Sequence, residues 1–542
     1  MSFVSHPRIV PDRVEERGYQ TRMVEQCVRA NTLLILPTGL GKTVIAVRVA
    51  AEFLDRGRVL MMAPTKPLVE QHMEAFSSLL KDARVSMLSG MTRDTKRAEI
   101  VESSDVVVST PQTVQNDLEA GRYDLSGFSL IIYDEAHRGR GDYAYVGVAG
   151  FVRRGTRCVG MTASPGSSID RIEEVCVNLN LRRIDMRTEY DPDVSPFVHD
   201  TYINRIEVDL PQDIRDVSAL LKVMLDHYYS ELCSLGAASS RVQPSKGYLL
   251  NVGRDLQAQA ERPGASGVVF RSLSVNKTCI QLLEAVNKVE SEGMTVLRSY
   301  LDRLEAEAAQ ERGGKAAQAI VRRQEYAAVR TILSKTNVEH PKVSRVMSLV
   351  SRAISADPRS KVLVFAQFRD TCEMLVSKIS GIPGARVSML IGQSKGGLKQ
   401  REQVSLLDGF RRGDSNVLVS TSVGEEGLDI SNTDAVIFYE PVPSEIRTIQ
   451  RRGRTGRKSD GEVYMLIARG TVDEAFERSS LRKEQEMREN LEMLSERLSR
   501  GESLGDGGQT RLDGYRRPIP LRLPRRWTAH ALLRPGGDLR QT

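Results

Sequence analysis

Two patterns of apolar and polar positions alternate along the chain. Short runs apolar at consecutive positions (TLLILPTG, RVLMMAPT, DVVVSTPQ, LIIYDEAH and CVGMTASP) recur from residue 32 to about 165, each broken by Gly, Pro, Ser or Thr and followed by a helical pattern. Runs apolar on both faces suit buried strands of a parallel sheet, and their alternation with helices predicts a βαβ series. The same grammar returns from about 360 to 470 in KVLVFAQF, NVLVSTSV, AVIFYEPV and EVYMLIAR, so two α/β units of similar design are expected. Between about 200 and 340 the strand signal fades. Leu283, Val286, Met294, Leu297, Leu301 and Leu304 repeat there at helical spacing, interrupted by Gly293 and Gly313-Gly314, which predicts a mostly helical inserted domain. After Thr471 comes a charged helical stretch, then a Gly-rich break at 501–508 and an Arg- and Pro-rich remainder expected to lack a core. The expected division is 1–200, 201–340, 341–500 and a basic, disordered tail at 501–542.

Composition narrows the class. A chain of 542 residues favours three or so domains over one core, and 40% hydrophobic with 27% charged residues is ordinary for a globular protein. Cys27, Cys158, Cys176, Cys233, Cys279 and Cys372 lie far apart without a C-x-x-C pair, which argues against zinc and iron–sulfur sites and for a reduced, cytoplasmic protein. The first 20 residues hold no signal-peptide core, and no uncharged apolar run approaches the ~20 residues that span a bilayer. Secretion and membrane spanning are not expected. The net charge of +7 hints at an acidic partner, yet eight Arg and two Asp in 509–542 hold six of those charges. The charge therefore marks a basic arm carrying Trp527, suited to salt-sensitive, non-specific nucleic-acid tethering.

Candidate chemistry begins at LPTGLGKT, which follows an apolar strand and opens a helical pattern. Leu36, Pro37, Thr38, Gly39, Leu40, Gly41, Lys42 and Thr43 would form a turn whose backbone N–H groups converge on phosphates at a helix N-terminus. Lys42 would reach the β/γ-phosphates and the Thr43 hydroxyl would ligate Mg²⁺. Leu36 stands where the general G-x-x-x-x-G-K-[ST] pattern has Gly, and a plain Gly-rich turn with an exposed lysine is the alternative reading. LIIYDEAH places Asp134 and Glu135 at a strand end, where ligands collect in open parallel sheets. Asp134 would hold Mg²⁺ partly through water, and Glu135 would orient and deprotonate the attacking water. Gln20, next to Tyr19, offers an amide for the N6/N7 edge of adenine.

A second basic element complements the first. IQRRGRTGRK sets Arg451, Arg452, Arg454 and Arg457 around Gly453 and Gly456, and guanidinium groups stabilise charge on a transferring γ-phosphoryl. The plain alternative is a basic loop for any polyanion. Gly427 and Asp429 of STSVGEEGLDI would line the ribose. If the arginines and the lysine loop come from different α/β units, ATP lies between them and hydrolysis would open and close the cleft.

Together these motifs resemble superfamily 2 helicases over about residues 15–475. Within that superfamily LPTGLGKT, the long helical insertion, TSVGEEGLDI, FYEPVPSEIRTIQRRGRTGR and DEAFERSSLRKEQEM look like archaeal Hef and the Fanconi anaemia M helicases. The resemblance implies two RecA-like parallel-sheet domains, 1–200 and 341–500, around the helical insertion, and an ATP- and Mg²⁺-dependent DNA helicase or translocase acting on forks, branched junctions and single strands in replication-fork repair. It implies that Pro64, Thr65, Lys66, Thr110, Pro111, Gln112, Gln367 and Thr421 touch the DNA backbone, without reading sequence. It assigns coupling of ATP state to DNA grip to Thr162, Ala163 and Ser164, with His137 as their contact, and it places Gln450 with Arg454 and Arg457 among the catalytic residues. Only 62 residues follow position 480 and they carry no E-R-K-type motif, so cleavage by a nuclease domain is not expected.

Two other functions compete. Relatives with comparable insertions act on RNA, so an ATPase stimulated by duplex RNA is one. A catalytically idle DNA-binding scaffold is the other, and the intact Lys42, Asp134, Glu135, Arg454 and Arg457 argue against it. In the tail, Gln509, Leu512 and Tyr515 are spaced like the core of a sliding-clamp-binding peptide, with Arg516 where a second aromatic is usual.

Overall fold

The computed structural model describes residues 2–90, 92–188, 191–197, 201–264, 266–310, 314–391, 400–421, 433–441 and 461–500. Two parallel sheets organise them. The first has seven strands: β1 (Thr32–Ile35), β2 (Arg58–Met62), β3 (Val85–Leu88), β4 (Val106–Ser109), β5 (Phe128–Asp134), β6 (Arg157–Thr162) and β7 (Arg183–Met186), in the order β3-β4-β2-β5-β6-β1-β7. β1 and β4 are buried throughout, as a parallel sheet covered by helices on both faces requires. Alternate residues serve opposite faces: Leu34 packs with Ile45, Val49 and Phe76, while Leu33 and Ile35 pack with Tyr133, Tyr145 and Ile172.

The second sheet has six strands: β8 (Thr201–Val208), β9 (Val362–Phe365), β10 (Val387–Leu390), β11 (Val417–Ser420), β12 (Ala435–Phe438) and β13 (Gly461–Ala468), in the order β10-β11-β9-β12-β13-β8. β8 runs parallel to β13, with Thr201 opposite Gly461 and Val208 opposite Ala468. This corrects the expected boundary at 201: the chain lays down the edge strand of the second sheet before it enters the helical insertion. Asn204, Arg205, Ile206 and Glu207 are only half-buried. An edge strand alternates polar and apolar residues, so it lacks the continuous apolar run that marks the central strands.

Among the described residues the insertion therefore spans six helices, Gln212–Ser234, Lys246–Ala260, Gly267–Ser291, Met294–Ala309, Lys315–Val321 and Gln324–Lys335. Ile214, Val217, Leu221, Met224 and Leu225 recur at helical spacing and pack with Cys279, Leu282, Val286 and Val289 in one core. The C-terminal helix, Val472–Ser499, starts beside the second sheet, where the Thr471 hydroxyl accepts from the Asp473 N–H at 3.2 Å. Its later turns bury Met487, Leu491 and Leu494 against Ile172, Val175 and Leu179 of the first sheet's outer layer. Asn490 Nδ2 donates to the Ser167 carbonyl at 2.6 Å and Arg497 pairs with Glu173 at 2.8 Å, so this one helix bridges both sheet domains. Among the described residues, no helix is long and apolar enough to cross a membrane.

Candidate nucleotide and nucleic-acid site

The turn between β1 and the helix Lys42–Phe53 sets the first part of the site. Gly39 (φ +89°) and Gly41 (φ +86°) hold the left-handed conformation that lets the backbone turn N–H groups toward an anion. The helix N-terminus has no side-chain cap, so its first N–H groups remain available. Lys42 Nζ donates to the Leu36 carbonyl at 2.9 Å. Leu36 is fully buried in the core with Tyr19, Leu40 and Ile45, and its N–H donates to the Thr162 carbonyl at 3.1 Å. The departure from glycine at this position is thus a packing residue at the strand end.

Tyr19 and Gln20 sit beneath the turn. Tyr19 Oη and Gln20 Nε2 both donate to the Leu40 carbonyl, at 2.7 and 3.1 Å. Gln20 is buried, and its Oε1 has no hydrogen-bond partner. A buried amide oxygen without a partner is the acceptor an adenine N6 amino group would satisfy.

β5 ends on Asp134, and Glu135 follows in the left-handed region (φ +48°), a conformation costing roughly 1–3 kcal/mol for a non-glycine residue. Burial alone would raise the Glu135 carboxyl, but His137, Lys42 and Arg138 hold it below the ordinary carboxylate range. The same charges place the lysine turn and the acidic strand end in one field. Glu135 Oε2 lies 3.4 Å from His137 Nδ1 but makes no hydrogen bond, which leaves a buried ionised oxygen able to accept from water. Asp134 contributes one carboxylate and Thr43 one hydroxyl. No cluster of three or more His, Cys, Asp or Glu suited to a metal occurs among the described residues. Two protein oxygens fit Mg²⁺, which keeps most of its waters and takes phosphate oxygens. The donor set, the glycine cradle and the orphaned Gln20 and Glu135 oxygens fit Mg·ATP.

Behind the acids runs a polar chain. His137 Nδ1 is 3.0 Å from Thr162 Oγ1, which donates to the Ser164 carbonyl at 3.0 Å and accepts from the Ser164 N–H at 3.1 Å. Ser164 Oγ is 3.0 Å from Met487 Sδ of the C-terminal helix, and Ala163, between Thr162 and Ser164 in sequence, is buried. The four residues expected to couple ATP to DNA thus form one connected group next to Glu135.

Two helix N-termini open at adjacent strand ends. Thr65 precedes the helix Lys66–Leu79 after β2, and Thr110 precedes the helix Pro111–Glu119 after β4, neither with a side-chain cap. Thr65 Oγ1 is buried without a partner, Thr110 Oγ1 is 3.0 Å from Thr113 Oγ1, and Gln112 is exposed. Pro64 and Lys66 are half-buried beside them, with Lys66 3.5 Å from Glu70. Neighbouring uncapped helix ends suit consecutive phosphates. In the second sheet, Gln367 follows β9 and its N–H donates to the Glu440 carboxylate, while the Thr421 N–H donates to the Leu390 carbonyl at 3.1 Å. Gly427, Asp429, Gln450, Arg451, Arg452, Arg454 and Arg457 lie outside the described residues, as do Gln509, Leu512, Tyr515 and Trp527.

One residue of the site was missed from the sequence. His72, in the buried stripe Leu68, Val69, His72 and Phe76, places Nε2 2.8 Å from Asp134 Oδ2. A polar residue on an otherwise apolar helix face was the available signal.

Residues 17–172 match the DEAD/DEAH box helicase family and residues 341–459 the helicase conserved C-terminal domain. A Methanocaldococcus jannaschii protein named as an ATP-dependent RNA helicase is 37% identical over 92% of this chain and 64% of its own length. The ATP-dependent DNA helicase mph1 of Sclerotinia sclerotiorum is 32% identical over 90% of this chain and 41% of its own. The chain thus spans less than two thirds of these relatives. The crystal structure of the Pyrococcus furiosus Hef helicase domain matches 87% of this chain and 100% of its own, with 38% identity and a TM-score of 0.67.

Proposed function

The chain belongs to the superfamily 2 helicases of the Hef and FANCM kind, and from that premise we propose that it hydrolyses Mg·ATP to move along and remodel forked or branched DNA. The observation that carries the ATPase reading is the convergence of the Gly39–Lys42 turn, the ionised Glu135 and the partnerless Gln20 Oε1 on one strand-end site. In this reading Gln20 selects adenine, the turn and Lys42 bind the phosphates, and Thr43 and Asp134 hold Mg²⁺, which supplies charge neutralisation on the phosphates. Glu135 takes the proton from the attacking water: His137, Lys42 and Arg138 keep it ionised, and its partnerless Oε2 is the oxygen that accepts. In the same reading Gln450, Arg454 and Arg457 would complete the catalytic set, and Gly427 and Asp429 would bind the ribose. His137, Thr162, Ala163 and Ser164 transmit the nucleotide state to the helix ends at Thr65 and Thr110, which grip the backbone together with Gln367 and Thr421.

In domain terms, 1–200 carries the nucleotide turn and 341–500 the completing arginines, with the helical insertion gripping the branch. The sliding clamp as a partner through Gln509, Leu512 and Tyr515 belongs to the same reading. A duplex-RNA-stimulated ATPase is a second reading, favoured by the RNA helicase name of the Methanocaldococcus relative. Stimulation of ATP hydrolysis by fork DNA, linear duplex DNA and duplex RNA separates the two. The proposal expects fork DNA to stimulate most; stimulation by RNA alone overturns it. Lys42→Ala should abolish hydrolysis, and turnover at the wild-type rate would remove the site assignment.

A further inference from the structure

His72 is almost fully buried on the helix Lys66–Leu79, among positions otherwise given to Leu68, Val69 and Phe76. A structural histidine in such a stripe satisfies both ring nitrogens or is replaced by an apolar residue of like volume. His72 does neither. Its Nε2 lies 2.8 Å from Asp134 Oδ2, and its Nδ1 is buried with no partner. A carboxylate can only accept, so the proton sits on Nε2, and the buried Nδ1 is left unsatisfied, which a purely structural histidine would avoid.

Asp134 is held from a second direction as well. Tyr145 Oη donates to its main-chain carbonyl and lies 3.2 Å from the Met62 carbonyl, with the Tyr145 ring edge-on to Tyr133. One carboxylate oxygen is thereby fixed by His72 and the backbone by Tyr145. Oδ1 is left for a metal-bound water. Outer partners of this kind orient ligands and typically change metal affinity 10–100-fold when removed.

The helix that carries His72 begins at Thr65, whose hydroxyl is buried without a partner at the uncapped N-terminus. Seven residues separate the two, about 10 Å of one rigid element. We propose that His72 is a positioning residue that sets Asp134 for Mg²⁺ and makes metal–nucleotide affinity depend on whether the Thr65 end of its helix is occupied by nucleic acid. This inference rests on the assignment of Asp134 to the metal in the ATPase reading.

The test uses the full chain and binding as well as turnover. Mn²⁺ affinity is measured by electron paramagnetic resonance with a non-hydrolysable ATP analogue, with and without fork DNA. Half-saturating Mg²⁺ is measured in ATP hydrolysis, in wild type, His72→Leu and His72→Gln. His72→Leu removes the donor; His72→Gln keeps an N–H near the same place. The expected result is that His72→Leu weakens Mn²⁺ binding about tenfold or more and removes its dependence on DNA, while His72→Gln restores most of both. His72→Leu with wild-type Mn²⁺ affinity overturns the proposal, and so does His72→Gln folding normally and binding Mn²⁺ as weakly as a variant without a donor. His72→Gln alone decides the matter if His72→Leu does not fold. Lys42→Ala distinguishes the two levels: if it still hydrolyses ATP the ATPase reading fails, whereas if it is inactive and the His72 variants bind Mn²⁺ as wild type, only the role of His72 fails.

Discussion

Lys342 Nζ lies 2.5 Å from Asp473 Oδ2, and both side chains are completely buried. Lys342 opens the helix Pro341–Ala356 of the second sheet domain, and Asp473 opens the C-terminal helix. Between them stands Ser291, the last residue of an insertion helix: its hydroxyl donates to Asp473 Oδ1 at 2.5 Å, and its carbonyl accepts from Lys342 Nζ at 3.2 Å. The Ala468 N–H adds a further bond to Asp473 Oδ2 at 2.9 Å. One ion pair thus joins the insertion, the second sheet and the bridging helix.

Removing one partner of a buried, hydrogen-bonded pair strands the other charge. Asp473→Asn and Lys342→Met should each lower unfolding stability by roughly 3–5 kcal/mol, and the double variant should lie closer to wild type than either single one. Urea unfolding of the four proteins checks this. Additive losses would mean the pair is not coupled.

The neighbouring Glu292 gives the same junction a pH dependence. Burial raises its carboxyl to about 7, against the opposing pull of Lys288, the Thr371 hydroxyl and Lys342. A folded pKa above the unfolded value contributes stability that is full below pH ~4.5 and lost as pH rises through ~7. His340, one bond away at the Glu290 carbonyl, behaves oppositely: burial and Lys342 lower it to about 3, so its contribution is present above pH ~6.5 and lost toward acid. The difference in melting temperature between wild type and Glu292→Gln should therefore shrink or reverse in favour of the variant between about pH 4.5 and 7 and level off above that, corresponding to a few kcal/mol at most. A difference that does not change with pH would show that Glu292 is ionised throughout.

Legibility followed burial. β1, β4 and β9 are covered on both faces and read directly as apolar runs, and the glycine turn and acidic strand end read from their residue types. β8 did not, because an edge strand alternates, and the insertion therefore seemed to begin at 201 instead of after Val208. The role of Met487, Leu491 and Leu494 was hidden because their stripe lies within a charged helix and its partner layer is some three hundred residues away in sequence. His72 shows in the sequence only as a polar residue on an apolar helix face; its meaning lies in Asp134, which only the sheet order brings beside it.

At the phosphate turn, an alanine at Gly41 would place its Cβ 2.5 Å from Gln20 Nε2 and demand a left-handed backbone at φ +86°. The strain alone amounts to about 1–2 kcal/mol, and the displaced amide is the proposed adenine reader. Gly41→Ala should weaken binding of a fluorescent ATP analogue tenfold or more. Gly90→Ala, where nothing lies within 4 Å, should leave it unchanged. Equal affinity for both variants would separate Gln20 and the turn from the nucleotide.

The contact between Ser164 Oγ and Met487 Sδ, at 3.0 Å, connects the residues proposed for coupling to the helix that bridges both sheet domains. Ser164 is held to Thr162, Thr162 to His137, and His137 lies beside Glu135, so a shift of the bridging helix reaches the carboxylate proposed for hydrolysis through four contacts. Truncating a buried methionine costs roughly 2–5 kcal/mol, enough to loosen the later turns of the helix from Ile172 and Val175. Met487→Ala should therefore lower the ratio of DNA-stimulated to unstimulated ATP hydrolysis several-fold. Met493→Ala, exposed on the same helix, should leave that ratio intact. The discriminating measurement is steady-state hydrolysis with and without fork DNA for both variants. If the ratio survives Met487→Ala, the bridging helix is a static brace, and coupling between the sheet domains must run through the cleft alone.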